Sequence, residues 1–470
     1  MQQRNTKMQH RRPAPVFASL LGLGLLSLLP PSILIGQATP AKPASTRPAT
    51  DPADLRIQQE QARVARDPDF YASYNRLAAA YAQKARETGD ITYFELAETA
   101  LRQSLKLEST HDESVSAWTQ IATVHLAMHK FQEAGEDTEK AIALDPRNLI
   151  AYPYAGDAQL ELGNYDNAEK FYAHLIIRTD ATSGPDSDSR PHPGADFLLA
   201  SHGAGLHWIE GKTTIAADDL KHAIDLARQL RLPPENIAWT EFMLGEQYFQ
   251  SGDPTNAEKY VTASLVDFPR YHRSLSAMGQ LRAAQGRFPE AIDFYKHAIA
   301  IIPLPLYIAA LGDIYTISGD PADAKKQFAL VEYIGKLSAI NQQVYNRELA
   351  LFYADHDMKP ADALALAQKE LEVRHDVYTS DALAWALLKN GKTTEARAAI
   401  EQAMRLGTQD ALMEFHAGMI YNALSDPTKA SAHLRRALAI NPHFHVLFAV
   451  DAAKTLAQLD SHPTGATPTR

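Results

Sequence analysis

From Asp67 onward the chain keeps returning to one order of residues: an apolar and small pair, an aromatic a turn later, a glycine, a central alanine, a large apolar residue four positions on, and often a closing proline. Apolar positions three and four apart predict amphipathic helices, and the glycine between them predicts a tight connection. The order has a fixed period. Ala134 to Ala168, Ala257 to Ala291 and Ala396 to Ala430 are each 34 residues apart, while Ala291 to Ala324 and Ala363 to Ala396 are 33 apart. A period of this length, filled by two helices and a turn, predicts an array of stacked hairpins with no single central core.

Each recurring residue type has a physical reason to be there. A small residue at Gly156, Gly245, Gly279, Gly312 or Gly418 lets two helices approach toward the lower end of the usual ~8–10 Å spacing. Gly163, Gly252, Gly286, Gly319 and Gly391 fall where one helix must stop and the next begin. A proline after the second helix, as at Pro146, Pro269, Pro303 and Pro442, cannot continue the hydrogen-bond ladder.

The clearest units are GNYDNAEKFYAHL (163–175), GRFPEAIDFYKHAIAIIP (286–303), GKTTEARAAIEQAMRL (391–406) and SDPTKASAHLRRALAINP (425–442). Over about residues 68–442 this pattern resembles the tetratricopeptide repeat family. Leu244-Gly245, Met278-Gly279 and Leu311-Gly312 look like that family's first-helix pair, Trp118, Tyr248 and Tyr315 like its aromatics, and Ala257, Ala291, Ala324, Ala396 and Ala430 like its second-helix alanine. The resemblance implies an all-α fold, a right-handed α-α superhelix of about ten hairpins closed by a C-terminal capping helix.

Three units depart from the pattern. The first (about 71–107) has a longer turn at Lys84–Thr92. The fourth (about 197–228) carries Gly203-Ala204 and His207 in its first helix. The eighth (about 341–373) fits Leu349-Ala350 and Tyr353 only after one extra residue.

Outside the array, Arg4, Lys7, Arg11 and Arg12 precede an apolar run from Val16 to Leu29 that stops at Pro30-Pro31, and small residues follow to Ala38. This is the layout of a secretory signal peptide (1–38) cleaved after Ala38, with an uncleaved membrane anchor spanning Val16–Ile35 as the alternative. Residues 39–66 read as a Pro/Ala/Thr-rich linker. The remaining divisions are N-terminal repeats (67–180), an exposed loop (181–194), C-terminal repeats (195–442), a capping helix (443–460) and a disordered tail (461–470). Periplasmic or secreted localisation is the expectation, with inner-membrane anchoring as the alternative.

Composition narrows the chemistry. The net charge is −10, and −14 once residues 1–38 are removed, which disfavours a nucleic-acid partner. With no cysteine, disulfides and thiolate sites are excluded. Hairpins fill the chain so fully that no room is left for a conventional catalytic domain, and no nucleotide, hydrolase or zinc-protease motif occurs. A non-enzyme without cofactors or metal is expected. His125 and His129, and His443 and His445, are the two pairs that suggest metal ligands; packing and turn positions for the first and helix capping for the second are the blander accounts. The acidic run Glu133–Glu139 reads as a solvated face.

On the family pattern, first helices line the concave side, and the resemblance implies binding there. The groove set is Tyr154, Asp157, Trp239, Phe242, Glu246, Phe249, Asp313, Tyr378, Asp381, Trp385, Phe415 and Met419, with Gln280 and Asn422 beside them. Aromatic and acidic together, it suits an apolar or amphipathic segment of a partner protein; packing between repeats is the competing role for each aromatic. Arg273 is the one cation on the middle of this face, so the Lys/Arg/Asn set with which some tetratricopeptide modules hold a C-terminal carboxylate is missing. A non-catalytic, glycan-binding subunit of an envelope polysaccharide system is the second functional reading.

Overall fold

In the computed structural model, residues 52–108, 114–180, 193–340 and 346–461 are described, and among them 22 helices and no strand are found. A first helix, α1 (Pro52–Arg66), precedes ten hairpins. These pair α2 (Tyr71–Thr88) with α3 (Thr92–Leu107), α4 (Val115–Ala127) with α5 (Phe131–Leu144), and α6 (Ala151–Glu161) with α7 (Tyr165–Asp180). Next come α8 (Pro193–Ile209) with α9 (Thr213–Gln229), α10 (Pro234–Gln250) with α11 (Pro254–Asp267), α12 (His272–Ala284) with α13 (Phe288–Ile301), and α14 (Pro305–Ile317) with α15 (Pro321–Ile340). The last three are α16 (Asn346–Asp355) with α17 (Pro360–Glu370), α18 (Val377–Lys389) with α19 (Thr393–Ala403), and α20 (Ala411–Ala423) with α21 (Pro427–Ile440), followed by α22 (Phe448–Ser461). The fold is the expected right-handed superhelix of hairpins.

The small residues act as the period demands. A Cβ added to Gly156 would lie 2.5 Å from the ring of Tyr172, one on Gly245 2.7 Å from Val261, one on Gly279 2.8 Å from Tyr295 and one on Gly418 2.7 Å from Leu434. Gly312 meets Phe328 in the same way. Each contact joins a first helix to the second helix of its own hairpin. The second-helix alanines, from Ala97 to Ala430, are buried in all ten units.

Four expectations need correction. Residues 52–66, read as the end of the linker, are helix α1, whose Ala53 and Ile57 are buried against α2. In the first unit the turn is short: α2 runs to Thr88 and stops at Gly89. The capping helix starts at Phe448 and not at His443. Within 133–139, Asp137 is buried against His125, and only the glutamates face solvent. The signal or anchor segment 1–38, the linker up to residue 51, the loop over 181–192 and the tail from 462 lie outside the described residues.

The departing units resolve locally. In the fourth, Ala204 takes the small position against Leu220. In the eighth, the extra residue is absorbed in a turn where both Asp357 and Lys359 are left-handed, with φ of 52° and 44°.

The superhelix closes on itself. Successive turns touch where the glycine turn of an early hairpin meets the connection between two late ones. His375 donates its N–H to the Glu161 carbonyl (2.9 Å), Val377 donates its N–H to the Tyr165 hydroxyl (2.9 Å), Thr408 donates to the Ile209 carbonyl, and Asn441 Nδ2 donates to the Phe249 carbonyl (2.8 Å). The side-chain bonds of this seam join residues 192 to 212 positions apart, about six repeats of ~34 residues. Trp208 Nε1 adds a bond to the Tyr378 hydroxyl at 2.9 Å.

Candidate functional site: the interior lined by first helices

Because the turns meet at a seam, the first-helix face is the wall of a lumen. Two adjoining cavities of about 410 and 200 Å³ lie in it, and both are bounded by Arg273, Leu306 and Tyr307. The larger runs from Trp239, Tyr271 and His272 across to Arg86, Phe94 and His129 of the first two hairpins. The smaller is walled by Phe242, Glu246, Gln280 and Asp313, and closed by His443–Val446.

Arg273, at the start of α12, is solvent-exposed inside this lumen and among the described residues makes no ion pair or hydrogen bond. The crowding of the lumen wall around it would lower its pKa, but the surrounding Tyr271, Tyr307, Glu235 and Glu246 outweigh that and raise it, so it stays charged. Glu246 is likewise without a paired partner; burial pushes its carboxyl up to about 7, against the pull of Arg273. Arg86 reaches the lumen from α2 and meets Glu235 of α10 at 3.2 Å. Leu306 is 60 % exposed in the wall, which offers apolar surface beside an unpaired guanidinium and an unpaired carboxyl.

The groove set inferred from the sequence divides into three. Trp239, Phe242, Glu246 and Asp313 line the cavities. Tyr154 and Asp157 form a side wall in which Asp157 accepts from the Tyr172 hydroxyl (2.7 Å) and pairs with His202 Nδ1 (2.6 Å), while the Tyr154 ring meets that imidazole edge-on. Phe249, Tyr378, Asp381, Trp385, Phe415 and Met419 serve packing. Phe249 is buried and its carbonyl takes the Asn441 amide; Tyr378 ties the seam to Trp208. Met419 is half-buried against the core around Phe415. Trp385 is 2 % exposed, stacked on His416 at 4.3 Å and donating Nε1–H to Asp355 at 2.8 Å. The capping helix covers this end of the concave face, with Phe448 stacked on Phe415 at 5.0 Å, and this is why the late aromatics are core.

Acid–imidazole pairs stitch neighbouring first helices together. Asp157–His202 is one, Asp313–His356 (2.7 Å) the second and Asp381–His416 (2.9 Å) the third. Burial drives the His416 pKa down, but the Asp381 charge and hydrogen bond, with Asp355 and Asp410, outweigh it and leave it raised; Asp313 does the same for His356. A second kind lies within a hairpin: His125 pairs with Asp137 and His207 with Asp219. Both are spaced by 12 residues, a repeat-internal spacing of His and Asp that is visible in the sequence. His129 does not converge with His125. It sits in the turn at φ 57° and stacks on Phe131, while burial and the nearby arginines push its pKa down to about 3. His445 Nδ1 accepts the Leu447 N–H at 3.3 Å, the capping role expected of it. Among the described residues no group of three or more His, Asp or Glu is arranged to hold a metal ion.

An array of paired helices coiled around a side-chain-lined interior defines an α-solenoid. The model of the tetratricopeptide repeat family matches residues 119–184, 242–304 and 382–443, so the hairpins over these stretches are tetratricopeptide repeats. No curated protein matches the chain by sequence. Among solved structures it is similar to the anaphase-promoting complex hetero-tetramer Cut9–Hcn1, at 15 % identity over 87 % of this chain and 90 % of that one, with a TM-score of 0.31. Yeast Tom70 is matched at 12 % identity over 82 % and 96 %, with a TM-score of 0.34. Pseudomonas aeruginosa pilF is matched at 15 % over 47 % and 92 %, with a TM-score of 0.37. Tetratricopeptide repeats are scaffolds for protein–protein interaction, and the repeat fold is typically non-catalytic.

Proposed function

We propose that the chain is an exported, non-catalytic scaffold that holds a segment of a partner protein inside the lumen, against α10, α12 and α14. The observation that carries this reading is the unpaired Arg273 and Glu246 beside exposed Leu306 and half-buried Trp239, in cavities large enough for several side chains. Unpaired polar side chains beside exposed apolar wall match a polypeptide, which offers both apolar side chains and amide hydrogen-bonding groups. The glycan reading loses support at the late repeats, because Trp385 and Phe415 are buried and offer no sugar platform.

Export rests on the basic, apolar and small-residue order of the first 38 residues. Periplasmic or secreted placement follows from cleavage after Ala38, and inner-membrane placement from retention. The mass of the mature protein decides between them: loss of residues 1–38 is the expected result. For the scaffold, partner capture by the full chain is expected to fall at least ten-fold on Trp239→Ala with Glu246→Gln, while helical content is kept. Undiminished capture would refute the lumen as the binding face.

A further inference from the structure

The lumen contains a piece of its own chain. After α21 the backbone is pinned by Asn441, whose amide holds the Phe249 carbonyl and whose Oδ1 accepts the His443 N–H at 2.8 Å. Residues 443–446 then pass as an irregular strap across the first-helix face before α22 begins. Phe444 is buried with its ring 5.8 Å from Phe415, and Val446 packs into the cluster of Tyr307, Leu311 and Ile314. His445 stacks on Phe448 at 4.4 Å. Neither imidazole of the strap makes an ion pair with the wall among the described residues, and a cavity of about 200 Å³ remains between strap and wall. The strap is thus tethered at its ends, by Asn441 before it and by the stack of His445 on Phe448 after it, and meets the wall itself through Phe444 and Val446.

Resting on that reading, we propose that His443–Val446 is a resident mimic of the partner. The partner segment carries an aromatic and a branched aliphatic residue flanked by uncharged hydrogen-bonding groups, and it seats by displacing Phe444 and Val446 from the wall. Asp313 is already paired with His356 and Glu246 is a carboxyl without a partner, so an acidic flank would be buried here against other acids; Arg273 lies on the boundary shared with the larger cavity. Burial lowers the His445 pKa to about 4, which keeps that strap imidazole neutral near pH 7. A partner with an uncharged hydrogen-bonding residue in its place keeps the same fit.

The test uses the full chain and a labelled peptide copying residues 441–449, Asn-Pro-His-Phe-His-Val-Leu-Phe-Ala. Replacing Phe444→Ala and Val446→Ala loosens the strap, and the peptide is expected to bind this variant at least ten-fold more tightly than the wild type. Adding Gln280→Trp, which fills the cavity, is expected to abolish that binding. A peptide with glutamate at both histidine positions is expected to bind at least ten-fold more weakly. Equal affinity for wild type and loosened variant, or binding to neither, overturns the proposal. If the loosened variant loses its helical circular dichroism, hydrogen exchange of the wild type decides: amides 444–447 exchanging no faster than those of α21 overturn it. Peptide failure with partner capture intact counts against the strap alone, and lost capture with peptide binding intact counts against the protein-partner reading alone.

Discussion

Asn441 hands its side-chain amide to the carbonyl of Phe249 across 192 residues of chain, and this bond is one of a series that turns an open coil into a closed one. Because the acceptor is a backbone carbonyl at the end of α10, next to the turn glycine Gly252, the seam depends on small residues there. A Cβ on Gly211 would strike the Gly407 carbonyl, and one on Gly163 would lie 2.5 Å from that of His375.

Gly211 and Gly391 therefore separate two costs. Both have positive φ, 72° and 71°, so alanine at either incurs about 1–2 kcal/mol of left-handed strain. Only Gly211 has a backbone atom of another turn in the way, whereas nothing lies within 4 Å of Gly391. Gly211→Ala is expected to lower the urea midpoint clearly more than Gly391→Ala, and equal shifts would show that the turns do not meet.

The Asp381 and His416 pair is fully inside the wall, so its halves are not independent. Removing one partner leaves a buried group unpaired, and Asp381→Ala is expected to cost about 3–5 kcal/mol. Replacing both as Asp381→Leu with His416→Phe should recover most of that loss. Denaturation of the two single variants and the double checks this; simple additivity would contradict it.

Glu246 sets a pH dependence. Its folded pKa, about 7, lies above the ordinary carboxylate value, so folding favours the protonated form. The stabilisation is complete below about pH 4.5 and is lost as pH rises through 7. Glu246→Gln should leave the unfolding free energy at pH 4.5 unchanged and raise it at pH 8 by on the order of 1 kcal/mol once partial hydration is allowed for, read as no shift and an upward shift of the thermal midpoint. A constant difference across that range would contradict the burial of this carboxyl.

Much of this architecture is legible in the residues. Alanines at a 33 to 34 residue period marked the hairpins because a helix pair has room for only a methyl at that point, and each was found buried. The seam was not legible. It uses backbone carbonyls and turn residues, which carry no periodic signature, and it joins positions about six repeats apart. For the same reason Arg86, which belongs to the first hairpin, could not be placed in the same cavity as Arg273, the one cation expected on the middle repeats. Side-chain type on a first helix did not tell lumen from core either: Trp239 and Trp385 look alike in sequence, and it is the capping helix, with His416 and Asp355, that encloses Trp385.

That difference yields a further prediction. Trp385→Ala removes a fully packed indole and should destabilise by about 3–5 kcal/mol, whereas Trp239→Ala, half-buried at the cavity edge, should cost much less stability and chiefly weaken partner capture. Reversed costs in thermal denaturation would contradict the division of the groove set.

The central claim is that a partner segment lies within the lumen, and site-specific photo-crosslinking in the native cell tests it most directly. Leu306, 60 % exposed inside, and Val266, 74 % exposed on the second helix α11, are matched apolar positions on different faces. A photoreactive residue at 306 is expected to capture a partner polypeptide, and one at 266 is expected to capture none. Capture at 266 with none at 306 would contradict the account.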